Sequence, residues 1–398
     1  MTMTYDELNL DSFKEYGKER KNNIENASAT VRNTYPRNEL AKRLHPDRQY
    51  MKIAKVTDMV EGTKCYRLVP NTLKGTTECA YFQAGQYLNV FLTINGMKVN
   101  RAYSISSSPR NALKDGYYEI SIRYTSGGLV SAYILDNWKE GDEVEVSGPS
   151  GFFTYSPIRD ASTVIGVAGG CGITPFLSMA RAIVDGDEEF NMVLLYGSRD
   201  ADHILYKTEL EELAAKSDHI KFVNVLSDEE KEGYEHGFIS SDIIKRYAPK
   251  DEPYSVFICG PQAMYEFVNE DIKKLGLLKK YIRNELFGEL HNAASLEDYP
   301  GCKQQTVKIT VSIRDVVKTV EGKATDSIMQ ILEMNGIAVP SRCRSGECGF
   351  CHSLLKSGEV YVPKHVDGRR LADFKYGYIH PCVTFALSDV EIVVPAAK

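Results

Sequence analysis

The sequence predicts a multidomain fold in which an antiparallel β-barrel is followed by an α/β domain with a parallel sheet and then by a small α+β domain. Three observations support this prediction. A length of 398 residues is enough for two or three domains. Short strand-like runs broken by glycine, asparagine and proline give way, near residue 160, to strands that alternate with helical patterns. Three cysteines then crowd one loop close to the C-terminus, a pattern typical of metal-binding domains.

The chain divides by composition into five segments. These are an N-terminal extension at residues 1–48, the barrel at 49–157, the α/β domain at 158–280, a linker at 281–305 and the last domain at 306–398. The extension is polar, with helices expected at residues 4–22 and 37–44, and Leu40 and Leu44 share one helix face. It either braces the barrel or docks a partner, and the sequence leaves both open.

The strand assignments follow from apolar runs and the residues that interrupt them. In the barrel, we expect strands at residues 51–56, 87–92, 118–123 and 143–146. In the α/β domain, apolar runs separated by helical patterns predict parallel strands at residues 163–168, 192–196, 222–225 and 256–259. In the last domain, we expect a strand pair, a helix near residues 327–334 and a final strand at residues 390–394.

Composition and charge narrow the classes of partner. The formal net charge is -6, the isoelectric point is about 5.9, and no tract is rich in lysine or arginine, which disfavours nucleic acid and anionic membranes. The N-terminus lacks a signal-peptide pattern and no apolar run reaches about 18 residues, so we expect a cytoplasmic protein without a membrane span. Five cysteines outside the C-terminal group are scattered and odd in number, which predicts no disulfides.

The C-terminal cysteines carry the most specific signal. Cys343, Cys348, Cys351 and Cys382 have the spacing C-x4-C-x2-C-x30-C, which is typical of a plant-type [2Fe-2S] cluster and hence of a one-electron carrier. Glycines within the loop let backbone amides approach the sulfurs without a Cβ clash. A structural zinc site is the alternative. Zinc ligands usually come as two short pairs, however, whereas here three cysteines share one loop and the fourth is distant.

Two motifs in the barrel segment suit a flavin. The first offers a cation for phosphate, an aromatic face for the ring and hydroxyls for its polar edge, in the run Arg101, Ala102, Tyr103, Ser104, Ile105, Ser106, Ser107. Alone, such a run on a strand is more often structural. The second places a glycine turn before a helix, where backbone amides form a natural phosphate site, in the run Gly127, Gly128, Leu129, Val130, Ser131.

Three further motifs follow strands of the α/β domain. A glycine-rich turn at the end of one strand and the start of a helix suits a dinucleotide pyrophosphate, and its key residues are Gly169, Gly170, Gly172 and Thr174. Taken alone, that turn is equally consistent with tight packing. Ser198 and Arg199 follow the second strand. Cys259, Gly260 and Pro261 end the last one, and a cysteine there is by default a small buried apolar residue.

Taken in order, the motifs R-x-Y-S-x-x-S, GGxGITP, YGSR and CGP resemble those of the ferredoxin-NADP reductase superfamily. With the cysteine pattern behind them, the chain from about residue 50 onward resembles the phthalate and benzoate dioxygenase reductase type, an arrangement also found in hybrid-cluster protein reductase. The resemblance implies that the last segment is a β-grasp ferredoxin domain.

The resemblance also assigns residue roles. It implies that Arg101 and residues 127–131 bind flavin phosphates, that Tyr103 stacks on the flavin ring, and that Ser104 lies beside its N5. It places the glycine turn at 169–172 on the dinucleotide pyrophosphate and Cys259 beside the nicotinamide C4. Phe287, in the linker, either covers the ring face that the nicotinamide enters or is a packed linker aromatic.

The implied activity is that of an NAD(P)H-dependent reductase. Electrons pass from NAD(P)H through a flavin, FAD with FMN as the alternative, and through the [2Fe-2S] cluster to a protein acceptor such as an oxygenase or another metalloenzyme. The same residues would serve the reverse direction, from a reduced partner to NAD(P)+. They would also serve a redox subunit of a larger complex, so both alternatives stay open.

Two details of recognition are also predicted. Ser198 and Arg199 suit the 2'-phosphate of NADPH, but Asp200 and Asp202 follow at once and would repel it, which slightly favours NADH. The last domain holds 12 lysines and arginines against 10 aspartates and glutamates. This surplus predicts a basic docking face for a partner with an acidic patch, built from Arg342, Arg344, Arg369 and Arg370.

Overall fold

The computed structural model describes residues 10–30, 34–290 and 292–396, which form two compact units divided between Arg43 and Leu44. Helix α1 (Leu10–Glu25) lies in the first unit. Helix α2 (Pro36–Leu44) ends at Leu44, the first residue of the second unit. Exposed ion pairs at helical spacing, Lys14 with Asp11 and Lys42 with Glu39, support the two helices. Residues 4–9 of the first predicted helix lie outside the described residues, and the rest is confirmed, with the helix continuing to Glu25.

The second unit begins with an antiparallel barrel. Its strands are β1 (Gln49–Asp58), β2 (Thr63–Pro70), β3 (Tyr87–Ile94), β4 (Met97–Ser104), β5 (Tyr118–Arg123) and β6 (Glu143–Val146), with helix α3 (Leu129–Asn137) between the last two. The order across the sheet is β4-β3-β6-β1-β2-β5, and a bridge between Ile105 and Ile120 joins its two ends. Buried side chains such as Leu68 and Val90 fill the interior, as in other small barrels.

A parallel sheet with helices on both faces follows. Its elements are β7 (Thr163–Gly169), α4 (Thr174–Asp185), β8 (Asn191–Ser198), α5 (Lys207–Lys216), β9 (Ile220–Leu226), β10 (Glu235–His236), α6 (Ser241–Tyr247), β11 (Tyr254–Cys259), α7 (Gln262–Asp271) and β12 (Ile282–Glu285). The strand order is β10-β9-β8-β7-β11-β12. The four predicted strands are confirmed. Strand β12, however, lies in the segment assigned to the linker, and it pairs in parallel with β11.

The connectivity of this sheet places the functional motifs at one edge. Strands β7, β8, β11 and β12 are parallel neighbours, so their carboxyl ends meet at the same edge of the sheet. The glycine turn after β7, the Ser198 region after β8, Cys259 and Glu285 are all found there. Ligands of open α/β sheets bind in the crevice at this edge.

The last domain is built on a mixed five-stranded sheet crossed by one main helix. Its elements are β13 (Thr306–Ile313), β14 (Val316–Lys323), α8 (Ile328–Met334), β15 (Ser353–Ser357), β16 (Val360–Tyr361), α9 (Leu371–Tyr376), β17 (Tyr378–Ile379), β18 (Phe385–Ala386) and β19 (Val390–Val393). The main sheet has the order β14-β13-β19-β15-β17. A capping box between Ser327 and Gln330 starts α8, which confirms the predicted helix. The cysteine loop, residues 343–351, lies between α8 and β15.

All nine cysteines are free. Across the described ranges, no helix is long and apolar enough to cross a bilayer.

Candidate functional site

Three strand ends bring Ser104, Cys259 and Glu285 together where the barrel meets the α/β domain, and we call this group the hydride corner. Cys259 and Glu285 are register partners at the ends of β11 and β12. Ser104, at the end of β4, donates a hydrogen bond from Oγ to Glu285 Oε2 at 3.4 Å. All three side chains are buried. The structure therefore assembles the two residues that the resemblance assigned to hydride transfer, and adds a carboxyl between them.

Glu285 is the residue that the sequence analysis missed. Burial raises the pKa of its carboxyl well above the ordinary value, because a buried site disfavours the ionised form. Burial likewise raises the pKa of the Cys259 thiol. Burial therefore disfavours a negative charge on either side chain of the hydride corner. The available signal was a glutamate two residues before Phe287, but the four-residue strand that holds it is too short to show an alternating pattern.

An aromatic pair connects the hydride corner to the cysteine loop. Tyr87 is the register partner of Ser104 across β3 and β4, and its ring meets that of Phe287 edge to face with centroids 5.0 Å apart. Burial, followed by the nearby Cys348 and Cys343, raises the pKa of Tyr87. Buried Tyr87 is thus a neighbour of Ser104 in the sheet and lies near the thiols of the cysteine loop. Phe287 is placed beside it, and its assignment as the cover of a flavin ring stays a prediction.

The start of helix α3 forms the predicted phosphate site. Gly127 has a left-handed φ of 72°, and a Cβ on Gly128 would lie 2.9 Å from Ser131 Oγ, so both positions require glycine. Ser131 Oγ accepts a hydrogen bond from the Thr125 amide at 3.2 Å. Leu129 is exposed, whereas Val130 is buried in the barrel core. A glycine turn that ends on a free helix N-terminus fits a flavin phosphate.

The remaining residues of the barrel motif are divided between two environments. Arg101 and Tyr103 are half-buried, and Arg101 Nη2 donates to Glu289 Oε2 at 2.8 Å, so its guanidinium is already paired. Ala102 is buried. Ser107 lies apart from the hydride corner, because its Oγ accepts from the Glu119 amide at 3.0 Å inside the barrel. The phosphate role of Arg101 and the cofactor role of Ser107 stay predictions.

The glycine turn after β7 packs directly on the end of β11. A Cβ on Gly172 would collide with the Cys259 carbonyl oxygen, and one on Gly169 would lie 2.8 Å from Met264 Sδ. Gly170 adopts a left-handed φ of 54°. Thr174 starts helix α4 and donates from Oγ1 to the Cys171 carbonyl at 2.9 Å. The turn therefore presents bare backbone toward the crevice, which fits a pyrophosphate.

On the other side of this turn lie Gly260 and Pro261. A Cβ on Gly260 would collide with the Met264 side chain, and Pro261 Cδ would lie 3.1 Å from a Cβ on Gly169. The turn after β7 and the segment after β11 therefore pack closely against each other. This close packing lies at the sheet edge where ligands of open α/β sheets bind.

The ends of β8 and β9 form the region expected to meet the adenosine. Ser198 is half-buried and Arg199 is exposed. Asp200 faces its own turn, since its carboxylate accepts from the His203 amide at 3.1 Å and contacts His203 Nδ1 at 2.6 Å. The Asp228 amide donates to the Arg199 carbonyl at 2.9 Å, which brings the Asp228 backbone beside that of Arg199. The sequence analysis did not single out Asp228, because the contact depends on pairing between two strands.

The four predicted cluster ligands lie in one domain as two pairs. The Cys343 and Cys348 thiols share a hydrogen bond, which lowers the pKa of Cys343, and the Cys348 amide also donates to Cys343 Sγ at 3.4 Å. The Cys351 and Cys382 sulfurs are 3.5 Å apart. Among the described residues, no three His, Cys, Asp or Glu side chains are arranged around a single ion. Two pairs suit two iron atoms with two thiolates each better than one zinc ion.

The predicted basic docking face changes in one respect. Arg344 is only 1% exposed and is bound by Glu289 and Glu333, so the prediction that it contacts a partner is wrong. Its partners lie 55 and 11 residues away in sequence, which the local charge count could not show. Arg342 and Arg370 are exposed.

Comparison with protein families agrees with this geometry. Residues 51–155 match the oxidoreductase FAD-binding domain family, residues 167–270 match the oxidoreductase NAD-binding domain family, and residues 311–387 match the 2Fe-2S iron-sulfur cluster binding domain family. The three matches follow the same order as the barrel, the parallel sheet and the cysteine-bearing domain.

Whole-chain relatives share this organisation. The glycine betaine monooxygenase reductase subunit of Pseudomonas aeruginosa is 29% identical over 354 residues, which cover 83% of this chain and 94% of the relative. Ferredoxin-NADP reductase B of Sorangium cellulosum is 32% identical over 52% of this chain and 85% of its own length. The structure of phthalate dioxygenase reductase superposes with a TM-score of 0.63 at 26% identity, covering 91% of this chain and all of that one. The chain therefore belongs to the ferredoxin-NADP reductase superfamily, as an NAD(P)H-dependent flavoprotein reductase with a C-terminal [2Fe-2S] ferredoxin domain.

Proposed function

We propose that this chain is the reductase component of an oxygenase or related metalloenzyme, and that it takes electrons from NADH. The observation that supports this most is the position of Tyr87, a buried residue that pairs with Ser104 of the hydride corner and lies near the cysteine pair Cys343 and Cys348. Two relatives that match most of the chain, a glycine betaine monooxygenase reductase subunit and phthalate dioxygenase reductase, bear the names of oxygenase partners.

The chain's own residues would bind the cofactors, orient their reacting rings and shield those rings from solvent. When bound, a flavin takes up a hydride and releases electrons singly, and a [2Fe-2S] cluster carries one electron onward. The Ser104 hydroxyl would lie at the ring edge, and the hydrogen bond that it donates to buried Glu285 fixes its orientation there. The glycine turns at 127–128 and 169–172 hold phosphates, which orients the two reacting rings toward each other.

Rapid mixing of the holoprotein with NADH tests the proposal. We expect flavin absorbance to bleach first and cluster absorbance to follow, with electrons then reaching an added protein acceptor. Absence of bleaching with both NADH and NADPH contradicts the proposal. Faster reduction of NAD+ by a reduced acceptor than of acceptor by NADH would instead support the reverse direction.

The preference for NADH rests on the carboxylates around Arg199. Asp228 is tied to the Arg199 backbone, and Glu229 Oε2 accepts from the Ala201 amide at 2.9 Å, so the loop after β9 folds onto the loop after β8. Carboxylates placed this way accept hydrogen bonds from a ribose hydroxyl and repel a 2'-phosphate. The relative kcat/KM for NADH and NADPH measures the preference directly, and a higher value for NADPH contradicts it.

The acceptor is proposed to carry an acidic patch that docks beside helix α9. Residues 364–376 hold four lysines and arginines against two aspartates, and the exposed apolar side chains of this segment are Leu371, Phe374 and Tyr376. Buried His380 connects the helix to the cysteine loop, since its Nδ1 lies 2.7 Å from the Gly346 carbonyl and its Nε2 lies 3.9 Å from Asp373. Aromatic and cationic side chains together are typical of docking surfaces.

Salt dependence tests this docking surface. With an acidic haem protein such as cytochrome b5 as the acceptor, we expect the reduction rate to fall as ionic strength rises, and Lys375→Glu to slow it further. Lys318→Glu, on strand β14 at the opposite edge of the sheet, is the matched control and should leave the rate unchanged. A rate that does not depend on salt contradicts electrostatic docking.

A further inference from the structure

Four charged side chains lie together where the barrel, the linker and the ferredoxin domain meet. These are Arg101 on β4, Glu289 after β12, Glu333 on α8 and Arg344 in the cysteine loop, and we call them the seam quartet. Two positive and two negative groups leave no net charge. The side chains of Glu289, Glu333 and Arg344 are no more than 7% exposed, whereas that of Arg101 is 22% exposed.

Glu289 is shared between the two domains that carry electrons. Its Oε2 accepts from Arg101 Nη2 at 2.8 Å, while its Oε1 accepts from Arg344 Nε at 2.5 Å. Arg101 lies three residues before Ser104 on the strand of the flavin motif, and Arg344 directly follows Cys343. One carboxylate thus joins the flavin strand to the cysteine loop.

Further contacts fix Arg344 on the ferredoxin side. Glu333 receives both terminal nitrogens of Arg344, at 2.8 and 2.6 Å, in the two-pronged geometry that suits a guanidinium. Arg344 also adopts a left-handed φ of 60°, which is unfavourable for a residue with a Cβ and persists only when its surroundings hold it. The conformation of the loop that bears Cys343 therefore depends on these carboxylates.

A second tie lies beside the quartet. Asn100 Nδ2, on β4, donates to the Ser341 carbonyl at 2.9 Å, and Ser341 Oγ contacts Asn100 Oδ1. Arg344 Nη1 reaches the same Asn100 Oδ1 at 3.3 Å. The contacts between Asn100 and Ser341 orient the loop. The shared carboxylate of Glu289 supplies the negative charge that Arg101 and Arg344 require.

We propose that Glu289 is a positioning residue for electron transfer, whose shared carboxylate holds the cysteine loop at a fixed distance from the flavin strand. The inference rests on the proposed electron path. Removing one member of a buried ion pair leaves its partners uncompensated, which costs far more than the loss of an exposed pair. The pair between Lys308 and Glu321, 3.8 Å apart and 59% and 61% exposed, is such an exposed pair in the same domain.

Hydrogen-deuterium exchange on the Glu289→Gln holoprotein tests the contact itself. Glutamine keeps the shape of the side chain but removes its charge, so we expect amides of the cysteine loop at residues 341–345 to exchange about 100-fold faster than in the wild type. Glu321→Gln is the matched control and should exchange at the wild-type rate. Unchanged exchange in Glu289→Gln overturns the proposal.

Rapid mixing with NADH on the same variant tests the consequence for electron flow. We expect flavin reduction to keep its wild-type rate while the following reduction of the cluster slows. If cluster reduction keeps its rate although exchange is faster, Glu289 is structural only and the positioning role is overturned. If the wild type itself passes no electrons from flavin to cluster, the proposed function fails, while the exchange result still decides whether the contact holds the loop.

A conservative variant guards against loss of folding. Glu289→Asp keeps the charge and shortens the side chain by one methylene, so we expect exchange and cluster reduction to lie between the values for Glu289→Gln and the wild type. Should Glu289→Gln fail to fold, values for Glu289→Asp equal to the wild type in both measurements overturn the proposal.

Discussion

Glu285 accepts a hydrogen bond from Ser104 across the boundary between the barrel and the α/β domain, with Ser104 Oγ 3.4 Å from Glu285 Oε2. The contact joins two residues that are 181 positions apart in sequence. It makes the hydride corner a product of both domains, because neither sheet end alone provides the hydroxyl, the thiol and the carboxyl.

Glu285→Gln should raise stability at neutral pH. Burial raises the folded-state pKa of Glu285, so the group is protonated in the folded protein and ionised in the unfolded one between the two pKa values. Wild-type stability therefore falls as pH rises above the unfolded pKa, by about 1.4 kcal/mol per pH unit within that window. Glutamine does not ionise, so the Glu285→Gln variant does not lose stability in this way as the pH rises. The free energy of unfolding, measured in urea at pH 5 and pH 7.5, should favour the variant over the wild type by more at the higher pH. An equal difference at both pH values would contradict a raised pKa for Glu285.

Ser104→Ala should slow hydride transfer without releasing the flavin. Loss of one hydrogen-bond donor at a reacting centre typically costs about 100-fold in rate, so flavin reduction by NADH in stopped flow should slow by that order. Ser106→Ala is the matched control, because the Ser106 hydroxyl donates to the Glu119 carbonyl at 3.2 Å inside the barrel. It should lower stability by about 1 kcal/mol and leave the reduction rate unchanged. Equal slowing in both variants would argue against a special role for Ser104.

Cys382→Ser should abolish the cluster and spare the flavin reaction. Loss of one thiolate of four removes a ligand that the chain cannot replace locally, so the visible absorbance and the paramagnetic signal of the reduced cluster should disappear. NADH should still bleach the flavin. Cys302→Ser, whose half-buried thiol donates to the Leu387 carbonyl at 3.2 Å, is the control in the same domain and should retain the cluster. A cluster that survives in Cys382→Ser would refute the ligand assignment.

Asp228→Ala should shift the dinucleotide preference toward NADPH. Removing one carboxylate beside a 2'-phosphate relieves roughly 1 kcal/mol of repulsion at solvent-exposed distances, which corresponds to about a five-fold gain in kcat/KM for NADPH. The value for NADH should fall or stay constant. Arg199→Ala is the complementary variant, and it should weaken NADPH more than NADH. An unchanged ratio in Asp228→Ala would show that Asp228 does not face the ribose.

The sequence allowed the prediction of features that depend on neighbouring residues. The spacing of the cysteines, the glycine turns before helices and the strand-helix alternation are local, and each is confirmed as a structural feature. Strand β12 was missed because four residues of mixed polarity show no period, and its membership in the sheet comes from pairing with β11. The prediction that Arg344 lies on the surface was wrong because the sequence alone does not distinguish an exposed arginine from a buried one. Its partners Glu289 and Glu333 come close to it only in the folded chain.

The tie between Asn100 and Ser341 bears on how such chains exchange parts during evolution. A foreign ferredoxin fused after residue 305 would bring its own iron ligands, yet it would leave the Asn100 amide and the Arg101–Glu289 pair facing an unmatched surface. A working fusion must inherit an arginine at the position of Arg344 together with the backbone that meets Asn100. The barrel and the ferredoxin of this chain are therefore expected to vary as one heritable unit, even though each is a complete fold.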